Sequence, residues 1–158
     1  MQRTRTHLAG LTAGTAIARR GPSAPMRWLS SNGLLAPGDT LDYGCGHGQD
    51  AARFGLDSWD PHWNPWKIGK HRWSVITCIY VLNVLGPLEL ERTVWKVRSL
   101  LKKGGSAYFA VRRDLGVPSK KGRNGITQRT VHFNHDQAEL VYEKKGAFAI
   151  YWMGRLGR

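Results

Sequence analysis

The stretch Thr40-Leu41-Asp42-Tyr43-Gly44-Cys45-Gly46-His47-Gly48 decides how the rest of the chain is read. A short strand-like run ends abruptly in alternating glycines, and Gln49 to Phe54 after them reads as a short helix. Strand, glycine turn and helix in that order place a loop at the carboxyl end of a parallel strand. There the backbone must turn tightly and let a ligand approach within contact distance. Glycines at this spacing also fit a phosphate-binding turn or a plain loop. Two acids sharpen the reading: Asp42 precedes Gly44 by two residues, and a second strand, Leu56 to Asp60, ends in an acid. Such an acid is placed to accept hydrogen bonds from two ribose hydroxyls, unless it merely sits at a turn. Gly48 and Asp60 are 12 residues apart. Dinucleotide-binding sheets use roughly 20, which argues against NAD.

Working outward, Ala24 to Leu35 contains a short amphipathic helix stopped by Asn32-Gly33, and Pro37-Gly38-Asp39 is a turn. Pro61 to Arg72 reads as loop. Ser74 to Val81 is a nearly continuous β-branched run of the kind buried on both faces of a parallel sheet. Leu90, Val94, Val97 and Leu101 predict a helix over Leu88 to Lys103, with Gly104-Gly105 as its C-cap. A strand follows at Ala107 to Val111, then a basic loop from Arg112 to Gln128. Strand character returns at Thr130 to Phe133. A helix is expected from Asp136 to Lys145, with Asn134 as N-cap and Gln137 as its capping-box partner. Phe148 to Met153 forms a last strand. The alternation predicts an α/β fold with a doubly wound parallel sheet whose last strands form an antiparallel edge. Residues 23–158 are expected to make one domain, preceded by a basic segment over 1–22.

Length and composition fit that reading. With 158 residues, 41% of them hydrophobic and 22% charged, the chain has room for one domain with a substantial core. Cys45 and Cys78 cannot form a disulfide framework and lack zinc-site spacing, so a reducing, cytoplasmic setting and no metal are expected. Val75 to Leu85, the most apolar stretch, contains Thr77 and Asn83 and is too short to cross a bilayer. The arginines at 3, 5, 19 and 20 superficially suggest a transit peptide, but no apolar run accompanies them, so secretion is not expected. The 24 Lys and Arg against 11 Asp and Glu leave a net charge of +13. That surplus favours a polyanionic or acidic partner, although a solvated basic surface has the same composition.

The segment Leu41 to Gly48 resembles motif I of the class I S-adenosylmethionine-dependent methyltransferases, and Trp59-Asp60-Pro61 resembles their acidic motif after the second strand. The chain is similar in particular to the methyltransferase domain of DNA phosphorothioation-associated and related small phage and bacterial proteins. Thr15 to Arg19, Ser23 to Arg27, Gly33 to Leu35, Tyr80 to Val84 and 142–153 match that group's pattern. The resemblance implies a Rossmann-like sheet and S-adenosylmethionine as cofactor. Asp42, Gly44, Cys45 and Gly46 would cradle its methionine part, Asp60 with Pro61 would hold the ribose, and Ile79 to Asn83 would line the transfer site. Two departures stand out: the helix after motif I is short, and the usual strand between Asp60 and Ser74 is missing, so the sheet is reduced. Trp63, Trp66 or His62 can stack on the adenine in place of that region, or the tryptophans cover the sheet edge.

The sulfonium of such a cofactor is already electrophilic, so catalysis reduces to aligning the acceptor and sometimes removing a proton. No Pro-Pro follows Tyr80-Val81-Leu82-Asn83 and no Pro-Cys pair is present, which disfavours familiar exocyclic-amine and cytosine-C5 mechanisms. Tyr80 and Asn83 are the candidate catalytic groups. Tyr80 could take the acceptor's proton, or both residues cap the following turn. Arg112, Arg113, Lys120, Lys121 and Arg123 are candidate substrate contacts, because 112–129 carries six basic residues against Asp114 alone. A loop so charged beside a transfer site suits a phosphate-bearing substrate, while a solvated loop is the plainer alternative. The expected function is methyl transfer to a nucleic acid or nucleotide. The alternatives are small-molecule methylation, or a non-catalytic module that binds or consumes the cofactor or binds nucleic acid.

Overall fold

The computed structural model describes residues 14–122 and 124–157. Helix α1 (Ala24–Ser31) begins where Ser23 Oγ accepts from the Met26 N–H, and it buries Met26 and Leu29 completely. Then come β1 (Thr40–Tyr43), α2 (Gln49–Phe54), β2 (Asp57–Trp59), β3 (Trp73–Ile79), a 3₁₀ turn (Leu82–Val84) and α3 (Pro87–Ser99). The chain closes with β4 (Leu101–Arg112), a small hairpin of β5 (Ser119–Lys121) and β6 (Thr127–Arg129), β7 (Glu139–Lys144) and β8 (Phe148–Gly154).

Six strands form one sheet in the order β2-β1-β3-β4-β8-β7. The first four run parallel; β8 and β7 join antiparallel. The chain steps outward from β1 to β2, then returns to the other side of β1 as β3. This reversal is a topological switch point, the place where doubly wound sheets hold a ligand crevice. Two apolar clusters cover the two faces. On one side Leu41, Ile76, Cys78 and Phe109 pack against Val97 of α3. On the other, Met26 and Leu29 of α1 pack against Tyr108, Ala110 and Ile150. The architecture is therefore the doubly wound α/β sheet with an antiparallel edge that the alternation predicts. Residues 61–72 hold no strand, only the bridge between Asp60 and Asn64, as expected of a reduced sheet.

Several local expectations are corrected. Helix α3 stops at Ser99, and Lys102-Lys103-Gly104-Gly105 belong to a bulged start of β4 rather than to a helix cap. Trp73 pairs with Leu101 and Val75 with Ser106, so the intervening residues loop out. The loop-out carries Lys102 to Asp39 at 2.8 Å. The ladder expected at Thr130 to Phe133 lies instead at Thr127–Arg129, within the basic loop. Val131 and Phe133 sink into the α3-side cluster.

The helix expected over 136–145 is strand β7. Its capping exchange does form, because Gln137 Oε1 accepts the Asn134 N–H at 3.2 Å, but it closes only one turn. Beyond it the chain pairs with β8, and Tyr142 stacks on Trp28 with ring centroids 4.6 Å apart. Ladder bonds and aromatic packing outweigh the helical preference of Glu-Leu-Val-Tyr-Glu-Lys. Among the described residues no helix is long and apolar enough to cross a membrane.

Candidate functional site

The glycine loop lies in the crevice and is held by main-chain bonds. Gly44 and Cys45 both donate their N–H to the carbonyl of Trp59, at 2.7 and 3.1 Å, which fastens the end of β1 to the end of β2. Gly44 has φ +78°, and a Cβ there would come within 2.5 Å of Val81 Cγ2. Gly46, at φ +55°, faces Ala16, whose Cβ would be 3.2 Å from an added Cβ. Positive φ and the close approach of Val81 and Ala16 make glycine the residue that fits this turn.

The two acids differ. Asp42 is buried within β1 and accepts from Thr77 Oγ1 at 3.0 Å. Burial, with Asp50 and Asp60 nearby, pushes its carboxyl up to about 7 against that hydrogen bond. Asp60 is nearly buried and accepts three main-chain N–H groups: Gly46 on Oδ2, and His62 and Trp63 on Oδ1, each at 2.9 Å. It thus clamps the glycine loop to the loop after β2. A carboxylate offers about four acceptor positions, so this leaves one for an incoming hydroxyl. Pro61 beside it is exposed.

Between the glycine loop and Ser58, Trp63 and Asn64 opens a cleft of about 310 Å³. His47 and Trp63, both in its lining, touch with ring centroids 4.2 Å apart and planes tilted by 52°, and His62 meets Trp63 edge-on at 5.0 Å. Trp66 is committed elsewhere: its indole N–H donates to the Ser58 carbonyl at 2.8 Å and its ring meets Trp73. Of the expected stacking rings, Trp63 lines the cleft, His62 packs against Trp63, and Trp66 covers the sheet edge.

Past Ile79, at the end of β3, Tyr80 has φ +59°, the one non-glycine residue with positive φ among those described. Such a conformation costs about 1–3 kcal/mol and persists only where the surroundings enforce it. Its N–H is held by the Ala110 carbonyl at 2.9 Å. Burial raises its phenol above the usual range, which keeps Tyr80 a protonated donor and no base at neutral pH. Asn83 has a different job from the catalytic one expected. It is wholly buried; its Nδ2 donates to the Arg129 carbonyl and its Oδ1 accepts the Arg112 N–H. Asn83 ties the 3₁₀ turn to β4 and β6 and cannot reach an acceptor. Burial lifts the Cys45 thiol to about 12, with Asp42 and Asp60 adding to it, so no thiolate nucleophile is available there.

The basic residues also divide. Arg112 is bidentate on Asp114 at 2.8 and 2.6 Å and donates to Gln128. Arg113, its side chain only 9% exposed, donates to Glu143, the Val131 carbonyl and Tyr151 Oη. Both serve the fold, a correction to their expected substrate role. Lys120 and Lys121 stand exposed on β5. Arg123 and the arginines at 3 and 5 lie outside the described residues. The residues around the glycine loop to which sequence reasoning gave no role are His47 and Arg19. The Thr15 to Arg19 match was the available signal for Arg19, but no role could be read from it.

No protein-family model matches the chain, and no curated protein matches it in sequence. Solved structures match its fold. The CcbJ methyltransferase from Streptomyces caelestis aligns over 97% of this chain and 99% of its own, with TM-score 0.57 and 14% identity. An S-adenosylmethionine-dependent methyltransferase from Clostridium acetobutylicum covers 84% and 89%, with TM-score 0.52 and 12% identity. The 1,6-didemethyltoxoflavin-N1-methyltransferase of Burkholderia thailandensis, solved with its substrate and S-adenosylhomocysteine, covers 82% and 77%, with TM-score 0.56 and 18% identity. At these identities the likeness is one of fold: the chain has the Rossmann-like fold of class I methyltransferases.

Proposed function

We propose that the protein is an S-adenosylmethionine-dependent methyltransferase whose acceptor is a nucleic acid or nucleotide. The observation that carries the reading is the glycine loop at the switch point, clamped by Asp60 to the loop after the second strand and bordering a cleft of about 310 Å³. When bound, S-adenosylmethionine supplies an electrophilic methyl group on a sulfonium. The chain's own residues bind and align. Gly44, Cys45 and Gly46 form the wall against which the amino-acid part packs, with Asp42 stiffening the strand beneath. The open acceptor position on Asp60 takes a ribose hydroxyl, and Pro61 shapes the turn after it. Trp63 offers an indole face to the base, with His47 packed against that indole. Ile79 and Tyr80 border the transfer site, where the Tyr80 hydroxyl donates to the acceptor and fixes its orientation.

The net charge of +13 and the exposed Lys120 and Lys121 support a phosphate-bearing acceptor. The finer resemblance, to phosphorothioation-associated proteins, rests on the segments at 15–19, 23–27, 33–35, 80–84 and 142–153 and fits a nucleic-acid acceptor in a bacterial or phage setting. A second reading, methylation of a small molecule, is favoured by the internal commitments of Arg112 and Arg113. Incubation with methyl-labelled cofactor and separate pools of DNA, RNA and small metabolites tests both. Label entering DNA or RNA supports the first reading, and label entering only metabolites supports the second. Cofactor binding by calorimetry without transfer to any pool leaves a binding module, and no binding overturns the assignment.

A further inference from the structure

Residues 14–22 cross the open side of the glycine loop as a strap. Arg19 N–H donates to Gln49 Oε1 at 2.6 Å, and the Ser23 N–H just beyond the strap donates to Asp50 Oδ1 at 3.0 Å. Arg53 donates to the Arg20 carbonyl at 3.1 Å, and Asn124 Nδ2 to the Gly14 carbonyl at 3.1 Å. The strap threads Arg19 back over the site. Its guanidinium lies 5.7 Å from the centre of the Tyr80 ring, and its side chain walls a small cavity of about 30 Å³ with Cys45, His47 and Asp50.

Arg19 differs from the other arginines around the site. Arg112 is paired with Asp114 and Arg113 with Glu143. Among the described residues no carboxylate stands within ion-pair distance of Arg19. Asp50, the acid in the cavity wall, already accepts from Ser23. Arg19 is nevertheless half-buried, whereas Ala18 and Arg20 beside it are exposed. A guanidinium partly withdrawn from water and held over a backbone-strained tyrosine has donors in a planar fork that matches a carboxylate or phosphate. We propose that Arg19 binds an anionic group, a carboxylate or a phosphate, at the transfer site. The identity of the molecule that bears the anion rests on the methyltransferase reading: it is either the amino-acid carboxylate of the cofactor or an acidic group of the acceptor.

The test has two arms. In the first, wild type, Arg19→Ala and Arg19→Lys are titrated calorimetrically with S-adenosylhomocysteine and with 5′-methylthioadenosine, which lacks the amino-acid part. A loss of about ten- to a hundredfold for Arg19→Ala with S-adenosylhomocysteine alone, partly restored by Arg19→Lys, assigns the anion to the cofactor. In the second, the Arg19 side-chain NMR resonance of wild type, identified by its absence in Arg19→Lys, is followed while inorganic phosphate is added. A saturable shift of that resonance, with S-adenosylhomocysteine affinity unchanged in Arg19→Ala, assigns the anion to the acceptor. No shift together with unchanged affinity overturns the proposal. If wild type binds neither nucleoside, the cofactor reading fails by itself, and the phosphate titration still decides for or against Arg19.

Discussion

Gly46 donates its N–H to Asp60 Oδ2 at 2.9 Å, joining two residues 14 positions apart in the chain. The same carboxylate receives His62 and Trp63, so one side chain sets the distance between the two loops that frame the cleft. In the proposed function, support for the loops and acceptance of a ligand hydroxyl would reside in a single group.

Asp60→Ala should therefore lower stability and cofactor affinity together. Leaving buried donors unpaired costs about 1–3 kcal/mol. Thermal melting of the variant and calorimetry with S-adenosylmethionine measure the two effects. An unchanged melting temperature would show that the clamp contributes nothing to the fold.

Gly44→Ala should destabilise by about 1–3 kcal/mol, since its positive φ and the contact with Val81 both oppose a side chain. Adding Val81→Ala should recover the steric part and leave the conformational part. A double-mutant cycle in urea reads the coupling, and strict additivity would refute the contact.

The Asp42 carboxyl titrates at about 7 in the folded protein and near 4 in the unfolded chain. The folded state thus holds the proton more tightly, and stability from this group is complete below about 4 and is lost as pH rises through about 7. Asp42→Asn should abolish that decline, which for one proton reaches at most about 1.4 kcal/mol per pH unit. Parallel denaturation curves for wild type and variant from pH 4 to 8 would contradict it.

Lys120→Ala with Lys121→Ala should weaken nucleic-acid binding about equally across sequences, and each lost phosphate contact should lower the log–log salt slope by roughly 0.7 to 0.9. Arg113→Ala should instead lower the melting temperature and leave the slope unchanged, because its donors face Glu143, Val131 and Tyr151. Fluorescence titrations at several salt concentrations separate the two. A flattened slope for Arg113→Ala would restore that residue to the binding surface.

What the sequence makes legible follows from how local each signal is. β1 and α2 run from Thr40 to Tyr43 and from Gln49 to Phe54 as the glycine turn predicts, because strand, turn and helix are each specified within their own residues. β7 was opaque for the opposite reason. Its Glu-Leu-Val-Tyr-Glu-Lys leans to helix by itself, and the decision comes from outside the segment, from pairing with β8 and from Trp28. The same holds at the site. Asp42, Gly44 and Asp60 announce themselves by spacing, whereas the burial of Asn83 and the pairing of Arg112 and Arg113 depend on partners that only folding brings near.

The strandless loop over 61–72 has a bearing on self-association. An open strand edge is a template for another chain. At β2, the Ser58 carbonyl accepts from both Asn64 Nδ2 and Trp66 Nε1, at 2.9 and 2.8 Å, and the indole of Trp66 covers the flank. Side chains of the loop thereby supply the bonds that a neighbouring strand would have made, and strand addition at this end finds its acceptor taken. The exposure falls on the opposite edge, β7, where Glu139, Glu143 and Lys144 place charges along the rim that discourage pairing between copies.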